Sequence, residues 1–154
     1  MIYLGKTGFD SRHEQQRMMI QTESRPIGFW LKLVDRLIDD RFDASLGGLS
    51  RRHWQVLNVI QEGGATQGEL DARLRPFLGE AGTTLREVTD LRTRGWIGGT
   101  ALALTELGTR EFQRLSDVVS AHRNTLMTDI SSDDYGTVVA TLEKMARNLG
   151  WQTS

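Results

Sequence analysis

A short apolar stretch that passes at once into a helical pattern is the feature that most constrains the fold of this 154-residue chain. Residues 102–104, Leu-Ala-Leu, have the composition of a short strand, whereas Leu107 and Phe112 take helical spacing among charged residues. Thr105 stands between the two patterns and is a good N-cap residue, because its hydroxyl can accept a hydrogen bond from the first helical turn. The sequence therefore predicts a strand that leads directly into a long helix at Thr105.

Two helices near the start of the chain have recognisable beginnings. The first spans about 26–43, where Ser24 and Pro26 supply the start of a single apolar stripe. The stripe consists of Ile27, Trp30, Leu31, Val34, Ile38 and Phe42. Ser50 caps the second helix, and the glycine pair at 63–64 ends it. Its inward positions are Trp54, Leu57 and Ile60.

Two further short helices follow and form a pair. Thr66 and Glu69 have the spacing of a capping box, which starts a third helix over about 67–75. Pro76 and Gly79 interrupt the chain before the fourth helix begins. The predicted buried positions of the fourth helix are Leu85, Val88 and Leu91. Two short helices separated by a tight break are typical of a helix-turn-helix.

A very short hairpin is predicted between this pair and Thr105. Trp96 and Ile97 enter it, Gly98 and Gly99 turn, and residues 101–104 leave it. Helices followed by such a hairpin indicate a winged helix. The predicted fold class is mainly α with a small β-hairpin: a winged helix-turn-helix with long N- and C-terminal dimerisation helices.

The remainder of the chain is predicted to form two longer helices, at about 105–128 and 132–149. Both carry apolar positions spaced alternately three and four residues apart, which is the pattern of a helix-packing seam. The seams are Phe112, Leu115, Val119, His122 and Leu126, then Tyr135, Val138, Leu142, Met145 and Leu149. We therefore expect an N-terminal arm at 1–23 and one domain at 24–154, with its winged helix at about 46–104. The two seamed helices and the first helix are expected to form the dimer.

The composition limits the class of protein further. The chain has 38% hydrophobic residues, no cysteine and a formal net charge of −1. Without cysteine there are neither disulfides nor thiolate metal sites, and the chain suits a reducing compartment. No apolar run is long enough for a signal peptide or a membrane span, so a soluble, cytoplasmic protein with no membrane partner is predicted.

The order of elements and three local motifs resemble the MarR (multiple antibiotic resistance regulator) family. The motif LTELG at 104–108 looks like that family's step from wing to helix, and TLREVTDLRTRGWI at 84–97 looks like its recognition helix. The helix opening ATQGEL at 65–70 adds support, and the resemblance covers about residues 26–149. It implies a homodimer that places one winged helix on each half of a palindromic site in double-stranded DNA, and that senses a small molecule.

The wing departs from the family pattern. Family wings usually carry an Asp and an Arg on a longer hairpin, whereas only the uncharged residues GGTA lie between Ile97 and Leu102 here. Contact between this wing and DNA is therefore not predicted.

The candidate DNA contacts lie on the two helices of the pair and near helix ends. Thr83 and Arg86 are the base-reading candidates, because an arginine can donate two hydrogen bonds to guanine and a threonine can contact thymine. The full predicted set is Thr66, Gln67, Arg51, Arg52, Arg73, Arg75, Thr83 and Arg86. Alternatively the five arginines are solvated surface charges, with Arg86 paired to Asp90 one turn along. Seven arginines against six acids give the segment 51–94 a net charge of only +1.

Other polar and aromatic residues have competing interpretations. Trp30, His53 and Trp54 could line a cleft for an aromatic or apolar effector, or the tryptophans could be core with His53 on the surface. His122 could fix helix register or respond to pH, or be a peripheral histidine. The acids of the first helix, Asp35, Asp39, Asp40 and Asp43, are interpreted as a solvated face rather than a metal or catalytic site.

The sequence thus predicts a homodimeric, DNA-binding transcription regulator on a palindromic operator, modulated by a small molecule. No enzyme activity, cofactor or metal is predicted. The alternative is a winged-helix dimerisation or protein-interaction module with little DNA affinity, which the bare wing and near-neutral charge permit.

Overall fold

The computed structural model describes residues 25–79 and 82–152, which form six α-helices and one two-stranded antiparallel sheet. The predicted N-terminal arm at 1–23 lies outside these residues. The helices are α1 (Ile27–Ser45), α2 (Arg51–Gln61), α3 (Gln67–Leu78), α4 (Leu85–Thr93), α5 (Glu106–Leu126) and α6 (Ser132–Asn148). The strands are β1 (Ile97–Gly98) and β2 (Ala103–Leu104). The mainly α fold class and the hairpin are as the sequence predicts.

Helix α2 forms the centre of the core. Its residues Val56, Leu57 and Ile60 are almost completely buried, and it contacts α1, α3, α4, α5 and β2. Leucines from the surrounding elements close the core around it: Leu46, Leu49, Leu70, Leu74, Leu91, Leu102 and Leu115. All of these residues lie between α1's last turn and the middle of α5. The winged helix is therefore the part of the molecule that carries its own hydrophobic core.

Several predicted helix starts are confirmed. The Thr66 backbone N–H donates to Glu69 Oε2 at 2.8 Å, and the Glu69 N–H donates back to Thr66 Oγ1 at 3.2 Å, which completes a capping box. Thr105 Oγ1 accepts the N–H of Gly108 at 3.0 Å and donates to the Gly95 carbonyl at 2.6 Å. The strand-to-helix step at Thr105 is therefore fixed from both sides.

The LTELG motif has a packing reason for its glycine. A Cβ at Gly108 would overlap the backbone carbonyl of Trp96, so only glycine lets α5 approach the start of the wing this closely. Gly95, with φ of +73°, ends the preceding helix in the left-handed conformation that glycine favours.

Helix α3 runs further than expected. The predicted end was Arg75, with Pro76 as the interruption, but the helix continues to Leu78 and includes Pro76 in its last turn. Pro76 lacks the N–H that would bond to the carbonyl four residues earlier, and its ring crowds that carbonyl. Two contacts beyond it hold the last turn despite this cost: Leu78 packs against the core, and Arg52 donates to the Phe77 carbonyl at 2.6 Å. Gly79, with φ of +72°, is where the helix stops.

The prediction that Leu85 is buried is wrong. Leu85 is 56% exposed, and Thr84 takes the buried place with 0% exposure. Thr84, Val88 and Leu91 thus form the inner face of α4, at the spacing i, i+4 and i+7. An apolar pattern cannot reveal this, because a threonine with satisfied hydrogen bonds can be buried in place of a leucine.

The wing is short, and a further segment of chain joins it. Residues Ile97 and Leu104 are partners, as are Gly98 and Ala103. Leu102 also exchanges both backbone hydrogen bonds with Ala65, at 2.8 and 3.1 Å. This pairing, which the sequence pattern did not predict, ties the wing to the start of α3.

The seam of α5, which was expected at the dimer interface, packs for most of its length against the chain's own core. Leu115 is completely buried, and Phe112 and Val119 pack against the core. Leu126 at the end of the helix is exposed, and α6 contains no buried residue. The uncovered part of the predicted dimer surface is therefore on α1, α6 and the last part of α5.

Candidate nucleic-acid interface

Asp71 on α3 fixes the start of α4. Its carboxylate accepts hydrogen bonds from the backbone N–H of Thr84 at 2.8 Å, the Thr84 hydroxyl at 2.7 Å and the Thr83 hydroxyl at 2.9 Å. Gln67 donates to the same carboxylate at 3.0 Å and to Thr84 Oγ1 at 2.8 Å. The two helices of the pair are therefore joined by one polar network, which we call the Asp71 network.

The pKa of Asp71 is below its ordinary value of 3.8. Partial burial by itself raises this pKa, but the hydrogen bonds from Thr84, Thr83 and Gln67 stabilise the carboxylate and outweigh burial. Sequence reasoning missed Asp71. The signal was an acid on one helix of the pair and two adjacent threonines at the start of the other.

Three predicted DNA contacts make their side-chain hydrogen bonds within the chain. The Thr66 hydroxyl caps α3, and Gln67 belongs to the Asp71 network. The Thr83 hydroxyl donates to Asp71 and accepts the Leu85 N–H at 3.2 Å. The local fold thus uses the polar atoms of these side chains to build the helix pair.

The predicted arginine contacts divide into two groups. Arg51 pairs with Asp35 at 2.6 Å and Asp39 at 3.2 Å on α1. Arg52 donates to the Phe77 carbonyl at 2.6 Å, and Arg73 pairs with Glu62. Arg75 and Arg86 are exposed, and among residues 25–79 and 82–152 neither makes a side-chain hydrogen bond or an ion pair. Within the part of the chain that the structure describes, these two side chains are therefore available to bind a partner molecule.

Five exposed residues form the outward face of α4: Leu85, Arg86, Thr89, Arg92 and Thr93. The alternative interpretation of Arg86, an ion pair with Asp90, is not found. Asp90 lies beside His53 of α2 and pairs with Arg94 at 2.9 Å. Arg92 donates to the Gly99 carbonyl at 2.6 Å, which holds the wing against α4.

His53 joins α2 to α4. Its Nδ1 accepts the Ser50 backbone N–H at 3.0 Å, so it takes the place of the usual Glu or Gln in a capping box. Its Nε2 lies 3.1 Å from Asp90 Oδ2, although the contact is not aligned as a hydrogen bond. Burial lowers the pKa of His53 below its ordinary value of 6.5, and the nearby acids Asp90 and Glu87 oppose this only in part.

Trp30, His53 and Trp54 line neither the groove between α2, β2 and α5 nor the cleft between α1 and α2. Trp54 is stacked on Phe112, with ring centroids 5.0 Å apart, and Trp30 contacts Phe29 edge-on at 5.2 Å on α1. A groove of about 680 Å³ lies instead between α2, β2 and α5, and Ile60, Leu104 and Phe112 are among its lining residues. A smaller, charged cleft of about 300 Å³ lies between α1 and α2, where Asp35 and Asp39 meet Arg51.

His122 and the acidic residues of α1 have structural partners. His122 Nε2 lies 3.0 Å from Ser45 Oγ, and its ring meets Phe42 edge-on at 5.6 Å, so it packs within the chain. Asp35 and Asp39, expected to be simply solvated, pair with Arg51.

In the residues that the structure describes, no cluster of acids and histidines has the arrangement of a metal site. No helix among the same residues is long and apolar enough to cross a bilayer.

The helix pair locked by Asp71, followed by the short hairpin, defines a winged-helix protein. No protein-family profile and no curated protein sequence matches the chain. Solved structures do, and we give three. The reduced form of MarR from E. coli has a TM-score of 0.62 and 20% identity, over 79% of this chain and 93% of that one.

Two further similar structures contain a bound partner. The S. aureus MepR–DNA complex has a TM-score of 0.67 and 16% identity, over 80% of this chain and 96% of MepR. The transcriptional repressor CouR, bound to p-coumaroyl-CoA, has a TM-score of 0.66 and 22% identity, over 79% of this chain and 92% of CouR. The chain therefore has a MarR-type winged-helix fold.

Proposed function

We propose that this chain is a DNA-binding transcription regulator that acts as a homodimer on a palindromic site. The observation that carries the proposal is the outward face of α4, which the Asp71 network holds in place and on which Arg86 has no partner among the described residues. The N-terminal part of such a helix enters the major groove in helix-turn-helix proteins. A solved complex of MepR with DNA, which shares the fold, supports the same use of the helix.

We assign the arginines different roles in DNA binding according to their contacts within the chain. Arg86 reads a base, since its guanidinium is exposed near the start of α4. Arg75 contacts the phosphate backbone. Arg51 and Arg73 already pair with carboxylates, so a phosphate must compete with those acids. Arg51, Arg52 and Arg73 therefore contribute less to DNA affinity than Arg75 and Arg86.

The homodimer is supported by uncovered apolar side chains on three helices. They are Ile27, Trp30, Leu31, Val34 and Leu37 on α1, Leu126 at the end of α5, and Tyr135, Val138, Val139 and Met145 on α6. Apolar surface of this extent is unusual on a soluble monomer. A second copy of the chain would cover the apolar side chains of all three helices on both subunits, because a two-fold interface uses the same patch on each subunit.

A small aromatic or apolar effector is the second part of the proposal, and we assign it to the groove between α2, β2 and α5. The Phe112 ring lines this groove and is stacked on Trp54. CouR, which shares the fold, is known in complex with p-coumaroyl-CoA, which supports an aromatic ligand. Trp30 and His53 do not line the groove.

The effector site can be tested with a panel of aromatic carboxylic acids. An effector should raise the melting temperature of the wild type and release it from DNA. Phe112→Ala should abolish both effects, whereas Phe77→Ala, at an exposed phenylalanine outside the groove, should leave them unchanged. An equal response of both variants would remove the groove from the proposal.

The DNA-binding function itself is tested by selecting bound sequences from random duplex DNA. We expect an inverted repeat whose half-sites are about one helical turn, or about 10 base pairs, apart. Failure to enrich any sequence would overturn the proposal. It would favour the alternative, a winged-helix protein-interaction module, which the uncharged wing and the internally paired Arg51 and Arg73 support.

A further inference from the structure

Beside Arg86, the exposed start of α4 presents methyl groups. Leu85, the first residue of the helix, is 56% exposed and lies outside the core cluster. Leu85, Arg86 and Thr89 lie close together on the exposed face, since residues three and four apart are neighbours on a helix. Arg86 is the charged member of this group of three.

The threonine hydroxyls around Leu85 have already donated their protons. Thr89 Oγ1 donates to the Leu85 carbonyl at 2.7 Å, and Thr83 Oγ1 donates to Asp71 at 2.9 Å. A hydroxyl has only one proton to donate. The groups that these two side chains can still offer to a base edge are a methyl group and an acceptor oxygen.

Thymine is the base that matches such a surface. Its C5 methyl group stands in the major groove, where an apolar side chain distinguishes it from the other bases. The free chain leaves the Leu85 side chain in water, so covering it with a methyl group removes apolar surface from solvent.

We propose that Leu85, together with the methyl group of Thr89, selects thymine next to the base that Arg86 reads. This inference rests on the proposed DNA-binding function and adds a specificity-determining contact to it. Each half-site then combines one hydrogen-bonded base with one or two thymines recognised through their methyl groups.

The test replaces thymine by uracil, which removes only the methyl group, at each position of the site selected from random DNA. The wild type should bind about threefold to fivefold more weakly for the substitution at one or two positions in each half-site, since one buried methyl group contributes about that factor. Leu85→Ala should bind the thymine site more weakly and lose the sensitivity to uracil at the same position.

One matched pair of variants and one control separate the methyl contact from other effects. Thr89→Val keeps a methyl group and removes the hydroxyl, whereas Thr89→Ser does the reverse, so only the serine variant should respond more weakly to uracil. Arg86→Ala should keep the response to uracil and lose its preference at a different base.

The inference and the proposed function fail in distinguishable ways. If the wild type selects a site but binds its uracil form equally well at every position, methyl recognition is overturned while DNA binding stands. The same conclusion follows if Leu85→Ala keeps the full uracil response. If no sequence is selected, the proposed function is overturned as well.

Discussion

The winged-helix lobe, residues 46–115, and the outer helices treat their apolar residues in opposite ways. The outer helices are the first half of α1, the end of α5, and α6. In the lobe Val56, Leu57 and Leu91 are completely buried, whereas on α6 Val138 is 56% and Val139 is 45% exposed. Both regions contain a helix with a side-chain cap, Thr66 for α3 and Ser131 for α6. The lobe therefore buries its apolar side chains within one chain. The outer helices need a second surface to cover theirs, and we propose that this surface belongs to another copy of the chain.

The largest effect is expected from a charged side chain on the outer helices, which should prevent dimer association. Val138→Asp would bury a carboxylate twice in the proposed dimer, so association should weaken about a hundredfold or more. Sedimentation at micromolar concentration should give a dimer for the wild type and a monomer for the variant. Arg36→Ala, at an exposed residue that is neither three nor four residues from the uncovered apolar side chains of α1, should remain dimeric. A wild type that sediments as a monomer would contradict the proposed dimer.

A cavity in the lobe should act differently from a charge on the outer helices. Leu57→Ala removes a completely buried side chain from the centre of the core and should lower the free energy of unfolding by about 2–5 kcal/mol. Urea denaturation measures this loss of stability. Leu57→Ala should cause a similar loss whether it is introduced into the wild type or into the monomeric Val138→Asp variant. If the loss disappears in the monomer, the lobe is not complete by itself.

The Asp71 network offers a smaller and more local test within the lobe. Asp71→Ala removes four hydrogen bonds and leaves the buried Thr84 N–H without its acceptor, at a cost of about 2–4 kcal/mol. Sequence-specific DNA binding should be lost even where the variant remains folded, because the start of α4 is no longer fixed. Circular dichroism and DNA titration at low temperature check the two effects separately. Normal affinity for the selected site would contradict this role.

The smallest expected effect is a pH dependence of the lobe. The folded chain holds the pKa of His53 below 6.5, so as the pH falls below 6.5 the unfolded chain takes up a proton more readily. Stability should therefore decrease on acidification through this range, and a proton on Nδ1 would also displace the Ser50 N–H. His53→Gln can keep the capping box without titrating, so subtraction of its melting curves from those of the wild type isolates the effect. Equal acid sensitivity of both proteins would remove His53 as the cause.

Much of the fold could be predicted because it depends on local signals. The hydroxyls of Thr66 and Thr105 mark helix starts that need only their own neighbours, and both are found where expected. The end of α3 was missed, because the contacts that hold Phe77 and Leu78 beyond Pro76 come from residues distant in sequence. The pairing of Leu102 with Ala65 was missed because it joins residues distant in sequence.

The candidate site was less predictable, because it depends on which polar atoms are already used. Nothing in the sequence indicates that Arg51 pairs with Asp35. The pairing of Asp90 with Arg94 rather than Arg86 does have a local signal, since an acid four residues before a base is the favoured order on a helix. The inner face of α4 was misjudged because it has no such local signal. Burial of Thr84 depends on a carboxylate from another helix, and that burial moves Leu85 to the surface.

Whether α4 reads DNA is decided by comparing wild type and Arg86→Ala on two duplexes. One carries the selected inverted repeat and the other has the same bases in shuffled order, and equilibrium binding is measured at one salt concentration. We expect the variant to lose about tenfold or more in affinity for the repeat, because each subunit loses a base contact, while its affinity for the shuffled duplex changes little. Equal weakening on both duplexes, or no weakening on either, would contradict this expectation.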